Sequence, residues 1–350
     1  MHYPRRSYNL HRTVVEVYRC PYSGEQLRLE GAHASAEQIT EGTLVSQNGL
    51  QFPIIDGVAH LTRPEKEFYS QEEAREKSYY EEIARGYDAV IDWLFRSFAE
   101  DERTIRATMV DLLRLAPGDR VLETGAGSCR DTVEIASRLG PNAELFVQDL
   151  SPNMLSIGRE RMRDRGLLDG THGRVEFMIG NAARLPFADD VLDAAYHFGG
   201  LNLFSDKKAA LCEMARVVRP GGRVVVGDEG IAPWRRQSEY GAILVNSNKL
   251  YGYSAPLEDL PDNARDVAVR WLIGDAFYVI DLSVGEGPPK IDLDLPIQGK
   301  RGGTHRTRYY GGLEGVTVEA KMMANEAAAA SGLTMHEWLD RAVRTAASKH

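Results

Sequence analysis

The sequence predicts a doubly wound α/β fold built on a mainly parallel sheet, and three observations carry that reading. Apolar runs of strand length alternate with amphipathic helical stretches from about residue 101 to residue 230. A glycine-rich turn, holding Glu123, Gly125, Ala126 and Gly127, follows the first of those runs, and an acid, Asp149, ends the second. Alternation of this kind puts helices on both faces of a sheet, and such sheets bind ligands beyond the carboxyl ends of their strands.

Size and composition set the frame. A chain of 350 residues exceeds the length at which a single core keeps growing, so one large domain with appendages is expected. Hydrophobic residues at 43% and charged residues at 27% are ordinary for a globular protein. A formal net charge of -9 argues against a surface that draws nucleic acid or anionic membrane as a whole. No apolar run reaches the roughly 18 residues of a membrane span, and the basic start of the chain has no signal-peptide core. A cytoplasmic location follows as the expectation. Cys20, Cys129 and Cys212 are widely spaced and odd in number, which suits a reducing compartment and provides neither a disulfide framework nor a four-cysteine metal site.

Taken in order, residues 12–63 read as a small β-rich unit, with short apolar runs separated by Asn-Gly and Asp-Gly turn signals. Residues 64–100 form a helical linker or lid in which Tyr79, Ile83, Tyr87, Val90, Leu94 and Phe98 recur at three- and four-residue steps. Strands are expected at 120–123, 145–148, 175–179, 192–196 and 223–227, with helices between them. The runs VAVRWLIG and AFYVIDLSVG, joined by Asp275, supply two further strands and close a domain spanning 101–285. Residues 286–315, rich in Gly, Pro and basic side chains, read as a loop. The last segment, 316–350, is expected to hold a short strand or extended lead, a helix stopped at Gly332, and a final helix started by Thr334 with Glu337 three residues on.

Glycine in the first turn lets backbone approach a ligand without a Cβ clash. Arg130 stands where a dinucleotide fingerprint has its third glycine, which disfavours NAD. Asp149, about twenty residues past the turn, can accept both hydrogen bonds of a ribose diol; it can equally serve as the acid that opens the helix in DLSPNML.

The ordered blocks VLETGAG (121–127), QDLSPNML (148–155), GNAARLPFADDVLD (180–193) and EMARVVRPGGRVVV (213–226) together resemble the ubiquinone/menaquinone-methyltransferase-like branch of class I S-adenosylmethionine-dependent methyltransferases. The resemblance implies a Rossmann-like sheet and S-adenosyl-L-methionine as cofactor, with S-adenosyl-L-homocysteine as product. It implies that Glu123, Gly125, Ala126 and Gly127 line the methionine part, that Asp149 and Leu150 hold the ribose, and that Asn181 and Ala182 face the adenine. Many relatives carry Asp in place of Asn181. His197 and Tyr87 complete the implied cofactor contacts, Tyr87 from the lid helix. CPYSGEQL (20–27), GTLVS (42–46) and FPIIDGV (52–58) resemble Trm112-like, zinc-ribbon-related domains, although Ser23 replaces the second cysteine and implies a metal-free unit. The tail, VTVEAK and SGLTMHEWLDRAV, resembles ribbon-helix-helix units, but Thr317, Glu319 and Lys321 give no positive ribbon. A homodimer through the tail, or docking on the same chain, is expected ahead of DNA binding.

Methyl transfer from a sulfonium is an in-line displacement, so placing the acceptor supplies much of the catalysis. A general base matters when the acceptor is a hydroxyl, an acidic carbon or a protonated amine. His197, Glu229 and Tyr310 are the candidate catalytic groups, and Tyr79, Asp228, His305, Arg306 and Tyr309 the candidate substrate contacts. The run GKRGGTHRTRYYGG (299–312) holds basic and aromatic residues and no acid. It points to a small carboxylate or phosphate acceptor gripped by Arg301, Arg306 or Arg308, or else to a basic loop pairing with acids of the same chain. An RNA methyltransferase and a cofactor-sensing DNA-binding regulator are the alternatives, with nucleic acid disfavoured by charge.

Overall fold

The computed structural model describes residues 10–34, 37–62, 71–300, 302–310, 313 and 316–349. Arg301 lies outside them, as do the side chains of Tyr79, Tyr80 and Tyr310. Two compact units are present, Met1–Pro288 and Pro289–His350.

The large unit is organised by five apolar strands: β6 (Arg120–Thr124), β7 (Glu144–Asp149), β8 (Arg174–Ile179), β9 (Leu192–Phe198) and β10 (Val218–Glu229). Numbering follows chain order, so β1 to β5 lie upstream. Val121, Leu122, Leu145, Phe146 and Val147 are fully buried, the pattern of strands covered on both faces. These strands run parallel in the order β8, β7, β6, β9, β10. The order reverses between β6 and β9, where Thr124 stands beside His197. A crevice at such a reversal is where open α/β sheets bind ligands. Beyond β10 the two expected strands form an antiparallel pair, β12 (Phe277–Val284) next to β10 and β11 (Ala264–Leu272) outside it. The helices α3 (Glu102–Asp111), α4 (Arg130–Ala136), α5 (Pro152–Asp164), α6 (Lys207–Val217) and α7 (Glu239–Ser247) fill the intervals.

The β-rich N-terminal segment is not a separate body. It holds β1 (Leu10–His11), α1 (Val14–Val17), β2 (Arg28–Ala34), β3 (Gln38–Val45), β4 (Gln51–Ile55) and β5 (Val58–His60). β5 pairs in parallel with β8, Ala59 beside Met178 and His60 beside Ile179, so the segment extends the large sheet. Its core is shared too. The Tyr18 ring meets Phe187 at 5.8 Å and Phe146 at 6.3 Å, and burying each such ring contributes about 1.5–3 kcal/mol. Ser23, in the position of the missing cysteine, donates to Glu25 Oε2 at 2.9 Å.

The covering helix α2 (Gln71–Ser97) precedes the sheet and packs against α5. No helix among the described residues is long and apolar enough to cross a membrane.

The small unit departs from expectation twice. The segment read as a loop contains a short helix, α8 (His305–Tyr310), and the segment read as a strand lead opens α9 (Val318–Ala330). Val-Thr-Val favours a strand by propensity, but Thr317 accepts from Ala320 N at 3.2 Å as an N-cap, and the alanine-rich run behind it favours helix. Among the described residues there is accordingly no ribbon ahead of the two helices. α10 (Met335–Ala347) starts as expected: Thr334 N donates to Glu337 Oε2 at 2.9 Å in a capping box.

Candidate functional site

The site is built at the carboxyl edge of β6, β7, β9 and β10. The turn after β6 depends on left-handed backbone at Gly125 (φ +61°) and Gly127 (φ +54°). A Cβ at Gly125 would sit 2.9 Å from His197 Cε1, so the glycine also makes room for the imidazole. Cys129 takes the same left-handed conformation (φ 60°) at the start of α4, and its Sγ fills the space left by the absent side chain of Gly158. Burial raises its thiol pKa, followed by the effect of Glu123, which makes it a packing group and a poor nucleophile.

Asp149, at the end of β7, has the helix-opening role offered for it. Its Oδ2 accepts Gly127 N at 2.7 Å and its Oδ1 accepts Ser151 N at 2.8 Å, so the acid ties the glycine turn to the start of α5. Each carboxylate oxygen retains a second lone pair directed to other donors. Asn181, after β8, uses its Oδ1 to accept Ala183 N at 2.8 Å, a local turn that also places the buried Ala182.

Glu123 is buried beneath the turn, and among the described residues its Oε2 has no hydrogen-bond partner. Burial, then the nearby Asp131, pushes its carboxyl well above the usual range. His197 is likewise buried. Its Nδ1 lies 2.8 Å from the Thr124 carbonyl oxygen, which can only accept, so Nδ1 carries the proton. Nε2 then holds a lone pair, and it too lacks a partner among the described residues. Burial lowers the imidazole pKa despite the opposing influence of Asp228.

Tyr87 reaches this edge from α2. Its phenol is pushed up to about 12, first by burial, with Glu229 and Asp149 adding to the rise and Arg106 opposing it. The phenol is thus within electrostatic reach of Asp149 at the end of β7 and of Glu229 at the end of β10.

Asp228 differs from expectation. It is fully buried, and its carboxylate accepts the backbone N–H groups of Gly200 at 3.2 Å, Glu229 at 2.8 Å and Asn202. It shapes the turn after β9 and presents no open oxygen face to a substrate. Its neighbour Glu229 is only partly covered, and burial followed by Asp228 raises its carboxyl well above the usual range. Tyr251 and Tyr278 lie close enough for Glu229 to raise both phenols.

The remaining candidates belong to the small unit. Arg306 Nε pairs with Asp294 Oδ1 at 3.0 Å, Arg308 donates to the Gly302 carbonyl, and Tyr309 is 83% exposed. His305 is exposed. The arginine pairing matches the alternative in which this run engages acids of its own chain.

Sequence reasoning missed two groups. Arg106, buried on α3, donates to Asp131 Oδ2 at 2.5 Å and to Glu102 Oε1 at 2.7 Å. Asp88, on α2, gathers donors from the glycine turn, α4 and α5. Apart from Glu102, four residues from Arg106, these partners lie 25 to 73 residues away, and the only sequence signal is a charged residue adjoining an apolar helical stripe.

A model of the ubiE/COQ5 methyltransferase family matches residues 69–230. The demethylmenaquinone methyltransferase of Mycobacterium marinum is 42% identical over 149 residues, covering 43% of this chain and 57% of that protein. The ubiquinone/menaquinone biosynthesis C-methyltransferase UbiE of Ectopseudomonas mendocina is 32% identical over 157 residues, covering 45% and 59%. The chain therefore spans less than two thirds of the length of these relatives. Residues 69–230 are therefore similar to the S-adenosylmethionine-dependent methyltransferases of the ubiE/COQ5 family.

Proposed function

We propose that the whole protein transfers the methyl group of S-adenosylmethionine to a small organic acceptor held over the sheet edge beside Glu229. The observation that carries this reading is the convergence of Gly125, Asp149, His197, Tyr87 and Glu229 on the reversal between β6 and β9. The residues fit the cofactor: unpartnered Glu123 Oε2 and His197 Nε2 mark a place where polar ligand atoms are wanted. Glu123 with Gly125, Ala126 and Gly127 would hold the methionine part, Asp149 and Leu150 the ribose, and Asn181 and Ala182 the adenine. When bound, the cofactor supplies an electrophilic methyl carbon.

This chain contributes placement and proton handling. Tyr87 and the β9–β10 turns exclude water and orient the acceptor. His197 is neutral at neutral pH and offers a lone pair at Nε2, so it can take a proton from the acceptor. Burial and the neighbouring Asp228 favour the protonated form of Glu229, the form that can donate a hydrogen bond to an acceptor oxygen.

A carboxylate or phosphate acceptor would need a cation near Glu229. The largest influences on Glu229 are burial, Asp228 and its own backbone, none of them cationic, and Arg106 is committed to Asp131 and Glu102. We therefore favour an acceptor uncharged at its reacting end. The names of the relatives point to a quinone precursor and a carbon atom, and the rings of Tyr87, Phe198, Tyr251 and Phe277 suit an aromatic acceptor. Dimerisation through the tail remains part of the proposal, supported by exposed Val318, Met322, Met323 and Val343; light scattering tests it, and a monomer at all concentrations removes it.

Titration with S-adenosylhomocysteine, followed by a methyl-transfer assay against neutral and anionic aromatic acceptors, tests the main reading. Uptake of the nucleoside and preference for the neutral set are expected. Preference for the anionic set would restore the carboxylate or phosphate reading, and no uptake would end the proposal.

A further inference from the structure

We propose that Asp88 is a positioning residue that latches α2 onto the cofactor cradle and sets how long the cofactor stays bound. The inference rests on the reading of the glycine turn as the cofactor site.

One carboxylate here serves three elements. Asp88 Oδ1 accepts Ser128 Oγ at 2.8 Å and Arg130 Nε at 3.0 Å, and Oδ2 accepts Arg161 Nη2. Ser128 is the residue directly after Gly127 and is buried. Arg130 opens α4, and Arg161 lies on α5. The partners are cross-braced: Arg161 Nη1 donates to the Ser128 carbonyl at 2.8 Å, and Arg130 reaches Glu102 at 2.6 Å and Asp92 at 2.8 Å.

Geometry makes this junction a latch. Tyr87, adjacent to Asp88 in sequence, is within electrostatic reach of Asp149 and Glu229, so both residues follow the same stretch of α2. Lifting that stretch shifts Tyr87 and frees Ser128 from its acceptor in a single motion. Bidentate and charge-assisted contacts of this kind are the strong class of hydrogen bond. The Asp88 side chain is still 35% exposed, so dissolved salt reaches it and screens the pairs. Although burial pushes its carboxyl up, hydrogen bonds from Ser128 and Arg130 hold it below the usual range.

The test uses the full chain and S-adenosylhomocysteine as probe, with its dissociation rate followed by stopped flow at low and high salt. Asp88→Asn is expected to speed release about tenfold, the loss of a charge-assisted contact. Wild-type release should quicken with salt, while the variant, already fast, should respond weakly. Arg161→Gln attacks the same junction from α5 and should behave alike, which keeps the test open if one variant folds poorly. Arg138→Gln serves as control, because it breaks a comparable pair with Asp111 at 2.7 Å elsewhere on the surface. Equal release rates in wild type and Asp88→Asn would overturn the latch, as would equal acceleration by Arg138→Gln. If the wild type takes up no S-adenosylhomocysteine, the cofactor reading fails first and the latch falls with it.

Discussion

The two halves of the sheet edge differ in one pair of acids, Asp131 and Glu229. On the β6–β7 side, Asp149 accepts one backbone N–H at each oxygen and Asp131 is paired with Arg106. On the β9–β10 side, burial and the neighbouring Asp228 push the Glu229 carboxyl well above its usual range. The contrast teaches that the charge state of a buried acid depends on its burial and its neighbours together. In the proposed function the first half is the cradle for the nucleoside and the second the floor for the acceptor.

The largest expected effect comes from breaking the paired half. Arg106→Met leaves Asp131 buried and unpaired and should cost about 3–5 kcal/mol, read from denaturant unfolding. Adding Asp131→Leu should recover most of that loss; a double variant no better than the single would show that the pair is not the unit. Next is Gly125→Ala. Left-handed backbone alone costs about 1–3 kcal/mol, and the clash with His197 adds to it, so S-adenosylhomocysteine affinity should drop by at least tenfold in calorimetry. Asp149→Ala should weaken the same binding by about 1–3 kcal/mol, and unchanged affinity would remove the acid from the site.

The smallest effects are pH slopes. Glu176, buried on β8, has its carboxyl raised from 4.5 to about 8, chiefly by burial. Below pH 4.5 both folded and unfolded forms are protonated and the stability is full. Between 4.5 and about 8 only the unfolded form has released its proton, so stability falls by at most about 1.4 kcal/mol per pH unit. Glu176→Gln should flatten that fall, with melting midpoints at pH 5 and pH 8 as the measurement; Glu229→Gln should flatten its own contribution in the same direction. His197 runs the other way. Its depressed pKa should keep the acid limb of methyl transfer below the usual imidazole range, and a limb at or above 6.5 would exclude it as the base.

Much of the cradle was legible in the sequence. Strand order from β6 to β12, the glycine turn and Asp149 each rest on local patterns that survive without tertiary knowledge. What stayed hidden depends on contacts between distant residues. Nothing near Asp88 announces Ser128 or Arg161, and nothing in VAH announces that β5 will lie beside β8. In the tail, local signals competed: the β-branched lead of α9 argued for a strand, while Thr317 and the alanines behind it argued for a helix and prevailed. Asp228 was misjudged for a related reason, since a residue's address at the sheet edge does not say whether its oxygens face ligand or backbone.

The annexed N-terminal strands bear on how this protein can be handled. A version trimmed to start after residue 62 would strip β8 of its neighbour and leave a row of open N–H and C=O groups, with Phe146 and Phe187 no longer roofed by Tyr18. Bare rims of that sort invite self-association, so the stretch that looks detachable on paper is the hem that keeps the fabric from unravelling.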